Sequence, residues 1–137
     1  MNREELLVKL ASYSSEDKQL YASSCLRRYC ELMGISHPAI SELLDHLDSI
    51  ASGKSLADWD AKGALLDLNG RGDPIPVSLR SMMSGDDLSE FENLVDSVVE
   101  VGIVDLYGAK TNLPLKFLDK AMLVLERRGL PLPELNG

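Results

Sequence analysis

Four residues of the kinds that hold zinc lie in the first third of the chain: Cys25, Cys30, His37 and His46. Zinc modules bring each pair of ligands within about two to five residues on a turn or helix face. Here the cysteines are five positions apart and the histidines nine, which fits no common pattern. Buried reduced thiols and ordinary surface histidines are expected instead. On one helix the two cysteines would point about 140° apart and could not pair with each other. Gly53-Lys54-Ser55 ends like a phosphate-binding loop, but position 48, where that loop needs a glycine, is Asp48. A helical pattern rather than a strand leads into it, so Gly53 reads as a helix stop. Arg71-Gly72-Asp73 is the tripeptide that integrins read on extracellular ligands. A turn explains it better: Asn69 and Gly70 can take positive φ and end a helix, Asp73 is held extended by Pro74, and Pro76 can open the next helix.

"LDSI" (Leu47 to Ile50) and "VDSVVE" (Val95 to Glu100) faintly resemble the Asp-Ser-Leu motif of acyl carrier proteins. In that family the modified serine stands at the start of a helix, whereas Ser49 and Ser97 fall mid-helix in the periodic pattern. The chain has no nucleophile elbow, paired-histidine motif or glycine-rich dinucleotide loop, and no serine has an evident neighbouring base. The expectation is a non-enzyme with no cofactor, no metal and no small-molecule substrate.

The elements that would position these residues are helical almost throughout. "REELLVKLA" opens with a short helix, and Ser14 or Ser15 caps a second running to Gly34, with Tyr21, Cys25, Leu26, Tyr29, Cys30 and Met33 on one face. Ser36 is expected to cap a third, with Pro38 in its first turn and Ile40, Leu43, Leu44, Leu47, Ile50 and Ala51 as an apolar stripe. Ser55 and Asp58 form a capping box before a fourth that carries Leu56, Trp59 and Leu66. A short helix from Pro76 to Met83 and a break at Ser84-Gly85 precede the longest element, Asp86 to Tyr107. "VVEVGIVDLY" has a strand-like composition, but the apolar period of three and four continues unbroken from Leu88. A last helix runs from Pro114 to Gly129, and "LPLPELNG" reads as a loose tail. The fold class is all-α: one domain over residues 1–137, a bundle of about six or seven helices.

With 45% apolar residues in 137, the chain can build a core without disulfide or metal. No apolar run reaches the ~20 residues of a membrane span, and "MNREELLVKL" is acidic where a secretory signal would be basic. A cytoplasmic location is expected. The net charge of −8 is unevenly placed. Residues 31–53 carry −4, residues 81–109 carry −7 without one lysine or arginine, and the remaining segments are near balance. Asp86 and Asp87 favour a helix N-terminus, and a solvated acidic face aids solubility. Glu92, Asp96 and Glu100, four residues apart, form one stripe whose mutual repulsion costs a few tenths of a kcal/mol per pair. Asp86, Asp87, Glu90, Glu92, Asp96 and Glu100 are the candidate contacts for a basic partner. Nucleic acid is excluded by the same charge. Charge reversal at Asp58 or Asp60 should matter much less.

In size, acidity and helical make-up the chain resembles the single-domain immunity proteins of bacterial toxin systems, of the contact-dependent inhibition and colicin type. The resemblance carries no diagnostic motif. It implies one-to-one neutralisation of a cognate basic toxin domain, a nuclease for instance, by occluding its active site. The alternative from another class is a helical adaptor or regulator with an apolar groove, for which Met82 and Met83 would serve, although core filling is the simpler reading of that pair.

Overall fold

The computed structural model describes residues 1–52 and 55–135. Seven α-helices and no strand lie within them: α1 Arg3–Leu10, α2 Ser15–Met33, α3 Pro38–Asp48, α4 Leu56–Ala64, α5 Val77–Arg80, α6 Gly85–Ile103 and α7 Leu113–Arg127. A single 3-10 turn, Ser49–Ala51, extends α3. The fold is all-α, and "VVEVGIVDLY" is helical to Ile103 and turns thereafter.

Helices α1 to α4 each begin where a side chain satisfies a free N–H group of the first turn. Asn2, Ser14 and Ser55 accept from Glu5, Asp17 and Asp58. Helix α3 differs from expectation: His37, not Ser36, is its cap, with Nδ1 accepting from the Ala39 N–H at 3.0 Å. Gly34, at φ +70°, closes α2 in the left-handed conformation that costs glycine nothing. The predicted stop at Gly53 lies outside the described residues.

Helices α2, α6 and α7 form the centre. Their directions follow from side-chain ties. Tyr29, late in α2, donates to Glu90, early in α6, and Gln19, early in α2, donates to the Val98 carbonyl, late in α6. Arg128, just past α7, pairs with Asp87 and Glu90. Thus α6 runs antiparallel to both neighbours. Helix α1 lies on α7, where Arg3 pairs with Asp119 and Glu126; α3 packs on α2, and α4 on α3. The buried side chains form one cluster, including Leu10, Leu26, Tyr29, Leu43, Phe91, Leu94, Leu118, Met122 and Leu125. Each fully buried leucine contributes about 1.5–3 kcal/mol relative to an exposed one.

Some expected positions move. Ala51 is exposed, Leu56 is 38% exposed, and Leu66 lies beyond the end of α4. Helix α4 stops at Ala64, so Asn69 and Gly70 do not end it, and only Gly70 takes positive φ. Helix α2, at 19 residues, is as long as α6. The expected loose tail is tied down through residue 135: Tyr21 Oη donates to the Pro133 carbonyl at 2.8 Å, Arg28 donates to Pro131 and Leu132, and Leu132 and Leu135 pack on the core. A sequence without helical period can still dock when its carbonyls meet donors on a neighbouring helix.

Where α2 crosses α6, Gly102 has no room for a side chain. A Cβ there would lie 2.3 Å from Gln19 Oε1 and 3.2 Å from Trp59 Cη2. Gln19 is fully buried, and its amide is held by the Val98 carbonyl. Gly102→Ala is therefore expected to destabilise the fold by about 1–3 kcal/mol despite the helix propensity alanine gains. A shift in urea midpoint checks this, and an unchanged midpoint would show that Gln19 can move aside.

Candidate functional site: the acidic face of the sixth helix

The acids of α6 divide into two groups. Asp87 and Glu90 are drawn inward: Arg128 pairs with Asp87, and its Nε donates to Glu90 Oε1 at 2.6 Å, the same oxygen that accepts from Tyr29 Oη at 2.8 Å. This network fastens the start of α6 to the ends of α2 and α7. Glu92, Asp96 and Glu100 make no ion pair with any described residue, and neither does Asp86. Four arginines ion-pair with acids elsewhere: Arg3 with Asp119 and Glu126, Arg27 with Asp48, Arg71 with Asp60, and Arg128 as above. Sequence spacing set the Glu92, Asp96 and Glu100 stripe apart but gave no sign that Asp87 and Glu90 are paired. The basic side chain that pairs with them is some forty residues distant, beyond the reach of any local pattern.

Three of the unpaired acids, Asp86, Asp96 and Glu100, border a groove of about 580 Å³ between α6 and α7. Asp86, Asp96 and Glu100 stand along one side, with Ser89, Asn93 and Ser97 between them, and Phe117, Leu123 and Val124 line the other together with Lys120 and Arg127. Lys120 Nζ sits 5.1 Å from the centre of the Phe117 ring, a cation–π contact. Partial burial raises the carboxyl pKa values of Asp96 and Glu100; neighbouring Glu92 adds to the first, and Arg71 offsets part of the second. Glu92 and Asp96 also edge a smaller hollow against residues 68–75.

Residues 65–76 make the second polar cluster. Arg71 points into the fold: Nη1 lies 2.7 Å from Asp60 Oδ1, in contact but off the line that a hydrogen bond needs, and Nη2 donates to the Asp60 carbonyl at 3.1 Å. Tyr107 Oη donates to Asp60 Oδ2 at 2.8 Å. Asn69 is buried, accepting from the Arg71 N–H and donating to Asp73 Oδ2 at 2.6 Å. Both charged side chains of Arg71-Gly72-Asp73 are thus engaged within the chain. Asp60, proposed above as an inert position for charge reversal, is instead the partner of Arg71. Asp58 is exposed, and its backbone N–H supports the cap at Ser55.

His46 completes this cluster. Its ring stacks on Trp59 with centroids 4.8 Å apart, and its Nε2 is buried without a partner. Burial first, then Arg71 and Lys62, lower its pKa, with Asp60 opposing. In the window between the lowered folded value and the unfolded value near 6.5, the unfolded chain binds more protons, so stability falls as pH drops through it. The wild type is expected to lose melting temperature as the pH falls below about 6.5, and His46→Gln should lose much less. Parallel curves for the two proteins would remove His46 from the account.

Cys25 and Cys30 are buried and free, and burial pushes both thiols up to about 12. Among the described residues, no group of three or more His, Cys, Asp or Glu is placed to hold a metal ion. The two serines weighed for a carrier role do not begin helices: Ser49 follows α3, its hydroxyl donating to the His46 carbonyl, and Ser97 is midway along α6. Lys54 of the Gly-Lys-Ser sequence lies outside the described residues. Met83 packs against the core, while Met82 is 46% exposed. No described helix is long and apolar enough to cross a membrane.

The chain was compared with protein families, curated proteins and solved structures. No family model, curated protein or solved structure matches it. The groove therefore has to be interpreted from its own chemistry.

Proposed function

We propose that this chain is a cytoplasmic, non-catalytic binding module of the immunity-protein kind, whose acidic α6 face caps a basic toxin domain and occludes its active site. One observation carries the reading. Glu92, Asp96 and Glu100 are left without an ion-pairing cation among the described residues, although four arginines pair with acids elsewhere in the fold. Unpaired like charge on one face steers a basic protein into encounter and repels phosphate, so nucleic acid is not the partner. A nuclease is one suitable target, because its own surface must be basic to hold its substrate.

The apolar wall of Phe117, Leu123 and Val124 gives the adaptor reading its footing. Ionic strength separates the two. Immobilised protein should capture the product of a neighbouring toxin gene, and the association rate should fall at least about tenfold between low and physiological-to-high salt. A groove-only adaptor would show nearly constant rates. If the chain neither binds nor protects cells against any neighbouring product, the immunity reading is lost.

A further inference from the structure

The geometry points to one α-helix of the partner as the occupant of the α6–α7 groove, a helix with a row of lysine or arginine beside a row of apolar residues. This rests on the reading of the acidic face as a contact for a basic protein.

The groove's length and shape suit a helix. It follows α6 from Asp86 to Glu100, about 21 Å at a rise of about 1.5 Å per residue. It lies between two antiparallel helices, where side-chain ridges leave a furrow that a third helix can fill, as in bundles.

The chemistry of the walls is divided lengthwise. Asp86, Glu90, Asp96 and Glu100 stand along α6, and Phe117, Leu123 and Val124 along α7 with Lys120 and Arg127 among them, so the acids of the groove outnumber its bases two to one. A strand sends alternate side chains to opposite faces, so it would bring one row to the furrow. Adjacent rows on a helix, three and four residues apart, bring two different chemistries side by side. Cationic side chains would meet the carboxylates of Asp96 and Glu100, which make no ion pair with any described residue, and the apolar row would cover the apolar part of the α7 wall.

Ser97 supplies an observation independent of charge. It lines the groove, is only 9% exposed, and makes no side-chain hydrogen bond with any described residue. A mid-helix serine ordinarily returns its hydroxyl to the carbonyl four residues back. Ser23 and Ser24 on α2 do so, to Gln19 and Leu20. Its hydroxyl, open toward the furrow and without a side-chain partner, is a ready acceptor for a guanidinium or ammonium N–H.

The test is an amide chemical-shift titration of the full chain with three synthetic peptides of about 18 residues, or five helical turns. The first is a leucine–lysine amphipathic helix, the second is the same peptide with two central leucines replaced by proline, and the third replaces lysine by glutamate. The expected result is saturable binding of the first alone, with shifts concentrated at Ser89–Ser97 and Phe117–Val124. Asn93→Trp, an exposed position that fills the furrow without altering charge, should weaken it about tenfold, or about 1.4 kcal/mol. A melting curve accompanies that variant, and Asn93→Phe replaces it if it does not fold. Equal binding of the proline-broken peptide, or indifference to the filled furrow, overturns the helix proposal while leaving a basic partner in place. If neither lysine peptide shifts α6 amides at low salt, the helix proposal and the reading beneath it fall together.

Discussion

Gly70→Ala is expected to lower stability by about 2–5 kcal/mol, a large share of the roughly 5–15 kcal/mol that holds a domain together. Two costs coincide there. The residue is at φ +66°, where an L side chain costs about 1–2 kcal/mol. Its Cβ would also lie 2.5 Å from Val99 Cγ2 and 3.2 Å from the Val95 carbonyl, and overpacking of this kind costs about 1–3 kcal/mol. Gly72→Ala separates the terms, because Gly72 has φ +87° but open space around it. It should show the backbone cost alone. Urea denaturation of both variants measures the difference, and Val99→Ala in the Gly70→Ala background should recover part of the loss. Equal losses at the two glycines would mean that α6 yields to the added methyl group.

Glu92→Lys combined with Asp96→Lys is expected to weaken the basic partner's binding by at least about 100-fold, or about 2.7 kcal/mol, with the melting temperature almost unchanged. Both side chains are exposed on α6, and the reversal replaces attraction with like-charge contact. Glu100 belongs to the same stripe but needs separate treatment. It is partly buried and feels Arg71, so a lysine there would set two cations together and disturb the Asp60–Arg71 cluster. Glu100→Gln removes its charge without that clash. Glu42→Lys and Asp45→Lys, exposed on α3, are the controls. A double variant that binds like the parent would reduce the stripe to a solubility face and shift the search to α3.

Periodicity carried most of the helical reading because burial on one side of a helix leaves a record every three or four residues. That is why Leu43 and Leu47, or Leu94 and Val98, were legible before any coordinates. Contacts between distant segments leave no such record. The docking of Leu132 to Leu135 depends on Tyr21 and Arg28, about a hundred positions earlier, and the division of the α6 acids depends on Arg128. Capping is local but degenerate. Ser36 has the usual chemistry for an N-cap, and His37 took the position because its imidazole can accept a hydrogen bond as well. The turn at Arg71-Gly72-Asp73 was legible as a turn, while the inward direction of Arg71 was not, since its partner Asp60 lies back on α4.

The two buried cysteines give the molecule a built-in reporter of its own opening. Cys25 is wholly inaccessible and Cys30 nearly so, both on the helix that packs against α6 and α7. With burial pushing both thiols up to about 12, almost none is ionised at neutral pH, against a few per cent for a solvated cysteine. A disulfide reagent would therefore modify Cys25 almost entirely through molecules in which α2 has lifted away. Its rate would count those excursions, residue-specifically and without mutation, so that the strength of the central helix packing can be followed as a partner is added.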